Sequence, residues 1–153
     1  MKQEEPVYYQ SPIGTLLLRA DSDALLELQL CDEKIGLTET VNPILQETIR
    51  QLTEYFERKR QIFELPLKPQ GTDFQRKVWN SLCQIPYGTT TNYAGIARSI
   101  GHPKAYRAVG NANGKNPIAI IIPCHRVIAS DGSLGGYAYG LAIKEELLQL
   151  ERP

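Results

Sequence analysis

What the chain of 153 residues lacks narrows its class before any motif is weighed. It has no run of about 18 apolar residues, so a membrane-spanning helix is excluded and no membrane partner is expected. Its opening, MKQEEPVYYQ, carries acids and no apolar stretch, which is not the pattern of a secretory signal. Cysteine is scarce: Cys31, Cys83 and Cys124 are the only ones. An odd number without Cys-x-x-Cys spacing argues against a disulfide framework or a zinc ribbon. A reducing cytoplasm is the expected compartment.

The sharpest absence is of one sign of charge. The formal net charge is zero, yet no Asp or Glu occurs between Phe74 and Ser130. Arg76, Lys77, Arg98, Lys104, Arg107, Lys115 and Arg126 all lie in that stretch. Residues 1–70 carry 8 basic against 12 acidic side chains, and residues 71–153 carry 9 against 5. An unopposed basic stretch of this length is the footprint of a polyanion. A chance local lack of acids competes with that reading. Nucleic acid is favoured, because phosphate neutralisation dominates such binding.

The pattern along the chain is that of an α+β protein in two parts, 1–69 and 70–153. Val7–Gln10 and Thr15–Ala20 flank a Ser-Pro-Ile-Gly turn and read as a hairpin, with Ala24–Leu30 as a third strand. Asn42-Pro43 supplies an N-cap and a preset first turn for an amphipathic helix ending near Lys59. Nothing in this part assembles a catalytic group, so it reads as a scaffold. Leu65 to Gly71, with two prolines and a glycine, reads as a linker. Thr72 then opens a capping box with Gln75, and Phe74, Val78, Trp79 and Leu82 mark a buried helix face. A helix over Tyr93–Ile100 stops at Gly101, and another is expected from Pro103 through Val109, broken by Asn111, Asn113 and Gly114. Two short helices around a glycine, the second carrying Lys104 and Arg107, fit a helix-turn-helix. Ile118–Ile122 is an apolar β-branched run that reads as a buried strand ending at Pro123. A glycine-rich loop, Gly135–Gly140, precedes a closing helix near Leu141–Leu150 that packs Leu147, Leu148 and Leu150 inward.

Cys124 and His125 are the first chemical suspects, since an imidazole can take a thiol's proton and activate the sulfur. In a regular strand, adjacent side chains point to opposite faces, so the pair could not meet directly. A strand ending at Pro123 or a bridging water would remove that objection. An inert buried cysteine stays open as the alternative. Metal binding is not expected, because His102 has no partner at ligand spacing.

Read with its neighbours, Asn116-Pro-Ile-Ala-Ile-Ile-Ile-Pro-Cys-His-Arg-Val-Ile128 resembles the active-site signature of the O6-alkylguanine-DNA alkyltransferases. The likeness extends through Thr72–Gln75, Tyr93, Lys104–Gly110, Asn113–Asn116, Gly136–Tyr137 and Lys144–Glu151. It implies a small N-terminal α/β domain with a short antiparallel sheet and a C-terminal winged helix-turn-helix-like domain. It also implies single-turnover transfer of an alkyl group from O6-alkylguanine, and from O4-alkylthymine, in double-stranded DNA to Cys124. A monomer without a cofactor is expected.

The resemblance assigns roles residue by residue. His125 would deprotonate Cys124 through a water, and Glu151 would orient His125. Tyr93 would donate to the guanine ring, and Asn116 would brace the turn ahead of the cysteine. Arg107 would fill the stack that the flipped base leaves. Lys104, Ala105, Ala108, Gly110 and Thr72 would contact DNA, while Val127, Tyr137 and Ala138 would line the guanine pocket. The residues alone allow plainer roles: a solvated helix-end carboxylate for Glu151, a helix-start aromatic for Tyr93, a turn residue for Asn116, a phosphate contact for Arg107. The chain departs from the family where Tyr139 replaces a glycine after the loop tyrosine, which would narrow the pocket. It departs again where Glu146 replaces an aromatic in the last helix. Three other readings are an alkylated-DNA-binding protein that does not repair, a winged-helix regulator with a core cysteine, and a cysteine hydrolase. Cys124 opposes the first, and the acid-free stretch has no purpose in the last.

Overall fold

The computed structural model describes residues 5–32 and 39–153. They fall into two compact units: one holds the described residues up to Gln70 together with Pro117–Ala119, the other Gly71–Asn116 and Ile120–Pro153. The first unit is built on three antiparallel strands in the order β1 (Val7–Ser11), β2 (Gly14–Ala20) and β3 (Leu25–Cys31). Register follows the period-2 pattern. Val7 faces Leu18 and Leu16 faces Leu30, and Leu16, Leu18, Leu25 and Leu28 are fully buried.

Helix α1 (Pro43–Phe56) covers this sheet. The Asn42 side chain caps it by accepting from the Ile44 and Leu45 amides, and Pro43 sits in the first turn. Leu45, Leu52 and Tyr55 form its buried stripe. Gln51, also buried, exchanges two hydrogen bonds with the Glu64 backbone and so fixes the chain that returns from the helix. The outer edge of β3 is closed by two single bridges, Leu25 to Leu67 and Leu28 to Ile118. These satisfy backbone groups that an open edge would leave unpaired.

The second unit is mainly helical. Helix α2 (Asp73–Leu82) starts in the capping box of Thr72 and Gln75, with both reciprocal bonds present. Trp79 is its anchor: the ring is buried and the indole N–H donates to the Ala112 carbonyl at 2.9 Å. Truncating such a residue to alanine costs about 3–5 kcal/mol. A parallel pair of two-residue strands, β4 (Thr91–Asn92) and β5 (Val127–Ile128), leads into helix α3 (Tyr93–Ser99). Helix α4 (Tyr106–Gly114) and helix α5 (Leu141–Leu150) complete the unit.

Several expectations from sequence are corrected here. Helix α4 begins at Tyr106, so Lys104 and Ala105 precede it, Ala105 as its N-cap. It runs through Asn111 and Asn113 to Gly114, because Ala112 and Asn113 are buried and tertiary bonds to Trp79 and Cys124 hold the last turn. Ile118–Ile122 forms no strand. Only Ile118 makes a bridge, and Ile120 adopts φ +72, a left-handed backbone that a ladder cannot contain. In α5, Leu147 is fully buried while Leu148 and Leu150 are half-buried, and the other buried residue is Lys144. Phe74 is also half-buried, its ring against His102.

Candidate active site

After the Ile118–Ile122 turn, Cys124, His125 and Arg126 form one turn of 3-10 helix. Three residues per turn send successive side chains in three directions, so the two-face geometry of a strand does not apply. Two asparagines from the α4 end hold this turn by its backbone. Asn116 Nδ2 donates to the Ile122 carbonyl at 2.7 Å, and Asn113 Nδ2 to the Cys124 carbonyl at 3.4 Å.

Cys124 sits 5 % exposed at the foot of a cavity of about 180 Å³. Tyr93, Gly110, Asn113, Asn116, Tyr137 and Tyr139 are among its walls, with Ala138 and Gly136 beside them. The β4–β5 pairing sets the start of α3, and with it Tyr93, beside the chain that leaves the cysteine. Small residues make room for that ring. A Cβ at Gly110 would lie 3.9 Å from it, and one at Gly135, where φ is +73, would lie 3.4 Å from the Tyr93 hydroxyl. Tyr137 and Tyr139 meet edge to face, 5.6 Å between centroids.

Behind the thiol lies a buried charged cluster. His125 Nε2 donates to Glu151 Oε2 at 2.7 Å, and both side chains are essentially inaccessible. Arg126 Nε and Nη2 reach Glu151 Oε1 and Oε2 at 2.8 and 3.1 Å. Lys144, fully buried, donates to three carbonyls: Val127 at 2.6 Å, Gly136 at 3.0 Å, and Leu134. It thereby ties the loop that carries Tyr137 to the chain just past Cys124.

Burial raises the Cys124 thiol above its ordinary value, while Asn116, Lys144 and Tyr137 pull the other way. Burial also lowers His125; Glu151 opposes that, and Arg126 and Lys144 reinforce it. The resting pair is therefore a thiol beside a neutral imidazole. Burial, and then the adjacent thiol, raise the Tyr137 hydroxyl, so it is a phenol that can donate but does not ionise. Asn113 Oδ1, His125 Nδ1 and Tyr137 Oη are buried polar atoms with no hydrogen-bond partner among the described residues. All three belong to residues around Cys124, and such groups are rare enough to mark a place where something else binds.

Of the residues singled out from sequence, the cavity gathers Cys124, Tyr93, Asn116, Gly110, Tyr137 and Ala138. His125 and Glu151 stand behind the thiol. Val127 is not part of the wall; it is buried, and its carbonyl accepts from Lys144. Arg107, Ala108 and Lys104 are exposed and Ala105 half-buried, on α4 and the turn before it. The Thr72 hydroxyl is engaged in capping α2. Tyr139, expected to narrow the pocket, lines the cavity, while sequence reasoning assigned no site role to Asn113, Arg126 or Lys144. Asn113 had a usable signal, being three residues from Asn116. Arg126 and Lys144 lie in stretches that carry the family likeness, but nothing signalled their burial, because charged residues are exposed by default. Among the described residues, no three His, Cys, Asp or Glu side chains converge where a metal ion could sit, and no helix is long and apolar enough to cross a membrane.

Two family models match the chain. "6-O-methylguanine DNA methyltransferase, DNA binding domain" covers residues 73–153, and "6-O-methylguanine DNA methyltransferase, ribonuclease-like domain" covers residues 7–69. A relative from Methanosarcina barkeri, named methylated-DNA--protein-cysteine methyltransferase, is 53% identical over 95% of this chain and 97% of its own length. The constitutive protein of that name from Bacillus subtilis is 44% identical over 94% of this chain and 92% of its own. Among solved structures, Mycobacterium tuberculosis OGT in complex with DNA superposes with a TM-score of 0.87 at 42% identity, covering 95% of this chain and 91% of that one.

Proposed function

Because the chain belongs to the 6-O-methylguanine DNA methyltransferase family, whose members repair DNA by moving an alkyl group onto a cysteine, we propose that this cysteine is Cys124. The observation that carries the reading is the convergence around one thiol: a cavity above it, an imidazole paired to a carboxylate behind it, and three unspent polar atoms beside it.

In the proposed reaction, His125 takes the Cys124 proton on Nδ1 through a water, while its Nε2–H stays bonded to Glu151. Burial makes a lone thiolate costly, so deprotonation is tied to attack on the substrate. The sulfur forms a bond to the sp3 carbon, the bond from that carbon to O6 breaks, and its electron pair leaves with guanine. Tyr93 donates a hydrogen bond or proton to the departing base. The thioether has no hydrolytic exit, so each chain acts once.

A base inside a duplex cannot reach a buried sulfur, so the alkylated nucleotide is extruded into the cavity. Support for DNA as partner comes from Arg107, Lys104, Lys115 and Arg98, all exposed and free of ion pairs among the described residues. Arg107 on α4 is assigned to the gap in the stack, with Ala105, Ala108 and Gly110 allowing close approach to the groove. Thr72, at the exposed start of α2, is assigned to the backbone. Tyr137 and Ala138 border the base, with Val127 supporting them through Lys144. Three free cysteines suit a reducing cytoplasm as the place of action.

The test is intact-protein mass after mixing with excess duplex that carries one O6-methylguanine. A gain of one methyl per chain, mapped to Cys124 and absent from Cys124→Ser, is expected. A gain that survives Cys124→Ser, or maps to Cys31 or Cys83, would refute the assignment.

A further inference from the structure

Glu151 bonds both His125 and Arg126, and of these two only His125 enters the transfer described above. Its Oε2 accepts from His125 Nε2 at 2.7 Å and from Arg126 Nη2 at 3.1 Å; its Oε1 accepts from Arg126 Nε at 2.8 Å. The guanidinium is itself held on its remaining sides. Nη1 donates to the Ile85 carbonyl at 2.8 Å, the Tyr87 ring lies 5.7 Å beneath it, and the Tyr87 hydroxyl donates to the Leu150 carbonyl at 3.4 Å. Arg126 is 7 % exposed, so this is not a surface ion pair that water screens.

A carboxylate buried beside an imidazole, with no other charge, has two ways to lower its energy. It can take a proton itself, or it can draw one onto the ring. The two groups then titrate as a unit, and in both cases the pair holds a proton that blocks acceptance of another. A guanidinium cannot lose its proton, so it fixes a positive charge against Glu151 at every working pH.

We propose that Arg126 is a positioning residue for alkyl transfer, acting through Glu151 to keep the His125–Glu151 pair unprotonated and His125 Nδ1 free to receive the Cys124 proton. The proposal rests on the relay reading given above. Other titratable or charged groups face the pair as well. Lys144 approaches from α5, Cys124 from the same turn, Tyr137 from the glycine-rich loop, and Cys83 at the end of α2 faces Arg126. Lys144 adds positive charge but spends its donors on carbonyls rather than on Glu151. Arg126 alone makes the two-pronged contact.

The experiment is the transfer rate on O6-methylguanine duplex, corrected for active fraction by total methyl uptake, across a pH range bracketing the ordinary imidazole value of about 6.5. Arg126→Gln is expected to slow transfer at neutral pH by roughly tenfold or more, with the acid limb of the profile displaced to higher pH. Arg126→Lys keeps the charge and loses the fork, so its limb stays near that of the wild type while the rate falls less. A purely structural role would lower the active fraction and leave the limb of the surviving molecules in place, which overturns the proposal. So would a limb equally displaced in Arg126→Lys. Glu151→Gln separates the two levels. If it transfers at the wild-type rate, the relay itself is wrong; if it is slow while Arg126→Gln matches the wild type, only the role of Arg126 is lost. Should Arg126→Gln not fold, Tyr87→Leu lets water reach the guanidinium and is expected to displace the limb the same way by less. An unmoved limb there overturns the proposal.

Discussion

The two units put their charges to opposite uses. In the first, Arg19, Arg50, Lys59, Arg60 and Lys68 each face an acid within 4 Å on a partly or fully exposed surface. Arg50, for example, lies between Glu47 and Glu54 at helix spacing. In the second, the Arg76–Asp73 pair at the start of α2 is of the same surface kind, but other charges are exposed without an acid, as at Arg107 and Lys104, or buried and bonded, as at Arg126, Glu151 and Lys144. Paired surface charges keep a scaffold dispersed and contribute little stability. Unpaired ones are available to phosphates, and buried ones hold together the turn and loop around Cys124.

The comparison breaks most visibly at Lys144. Lys144→Met keeps the apolar stem and removes the donor from three carbonyls, so a loss on the order of 3 kcal/mol is expected in denaturant unfolding. Transfer should slow with it, because the loop bearing Tyr137 is released. A variant as stable as the wild type would mean that these carbonyls find other partners without cost.

Arg107→Ala probes the exposed, unpaired class. Reaction with duplex is expected to fall on the order of tenfold, while reaction with a free alkylated guanine base changes little. Equal losses on the two substrates would remove Arg107 from the extrusion step. Protonation sharpens the same contrast. The buried, lowered His125 takes up its proton more readily in the unfolded chain, so stability should decline as pH falls below about 6.5. The slope is at most about 1.4 kcal/mol per pH unit until the folded value is reached. Denaturant melts at a series of pH values would show it, and a flat profile through that window would contradict the burial argument. The smallest effect belongs to the first unit. Arg50→Gln removes two surface ion pairs and is expected to leave both melting temperature and transfer rate unchanged within error.

Much of this arrangement could be read from residues close together in the chain. The Thr72–Gln75 box, the Asn42-Pro43 start and the alternation in the first two strands are local signals, and each specifies its element through bonds spanning a few residues. Pro-Cys-His-Arg singled out the candidate segment for the reaction in the same way. What escaped was set by distant partners. Ile118–Ile122 has a strand's composition, but the chain meets β3 only beside Leu28, where the Pro117 carbonyl and the Ala119 amide bond to it, and Ile120 then adopts a left-handed backbone that ends the pairing. Asn111 and Asn113 are poor helix formers in isolation, and α4 continues through them because Trp79 and the Cys124 carbonyl reward the last turn. The burial of Lys144 depends on three carbonyls between 8 and 17 residues away, which no periodicity within α5 could reveal.

If Cys124 is the acceptor proposed above, its depth has a consequence for a protein that works once. A thiol 5 % exposed, and raised by burial, is a poor target for stray oxidants and small electrophiles, which consume exposed thiolates first. Every molecule lost to such a side reaction would be one lesion left standing, since no turnover can make up the deficit. Burial therefore acts as a preservative: it sets the shelf life of each copy, and so how much repair capacity a cell can hold in reserve between exposures.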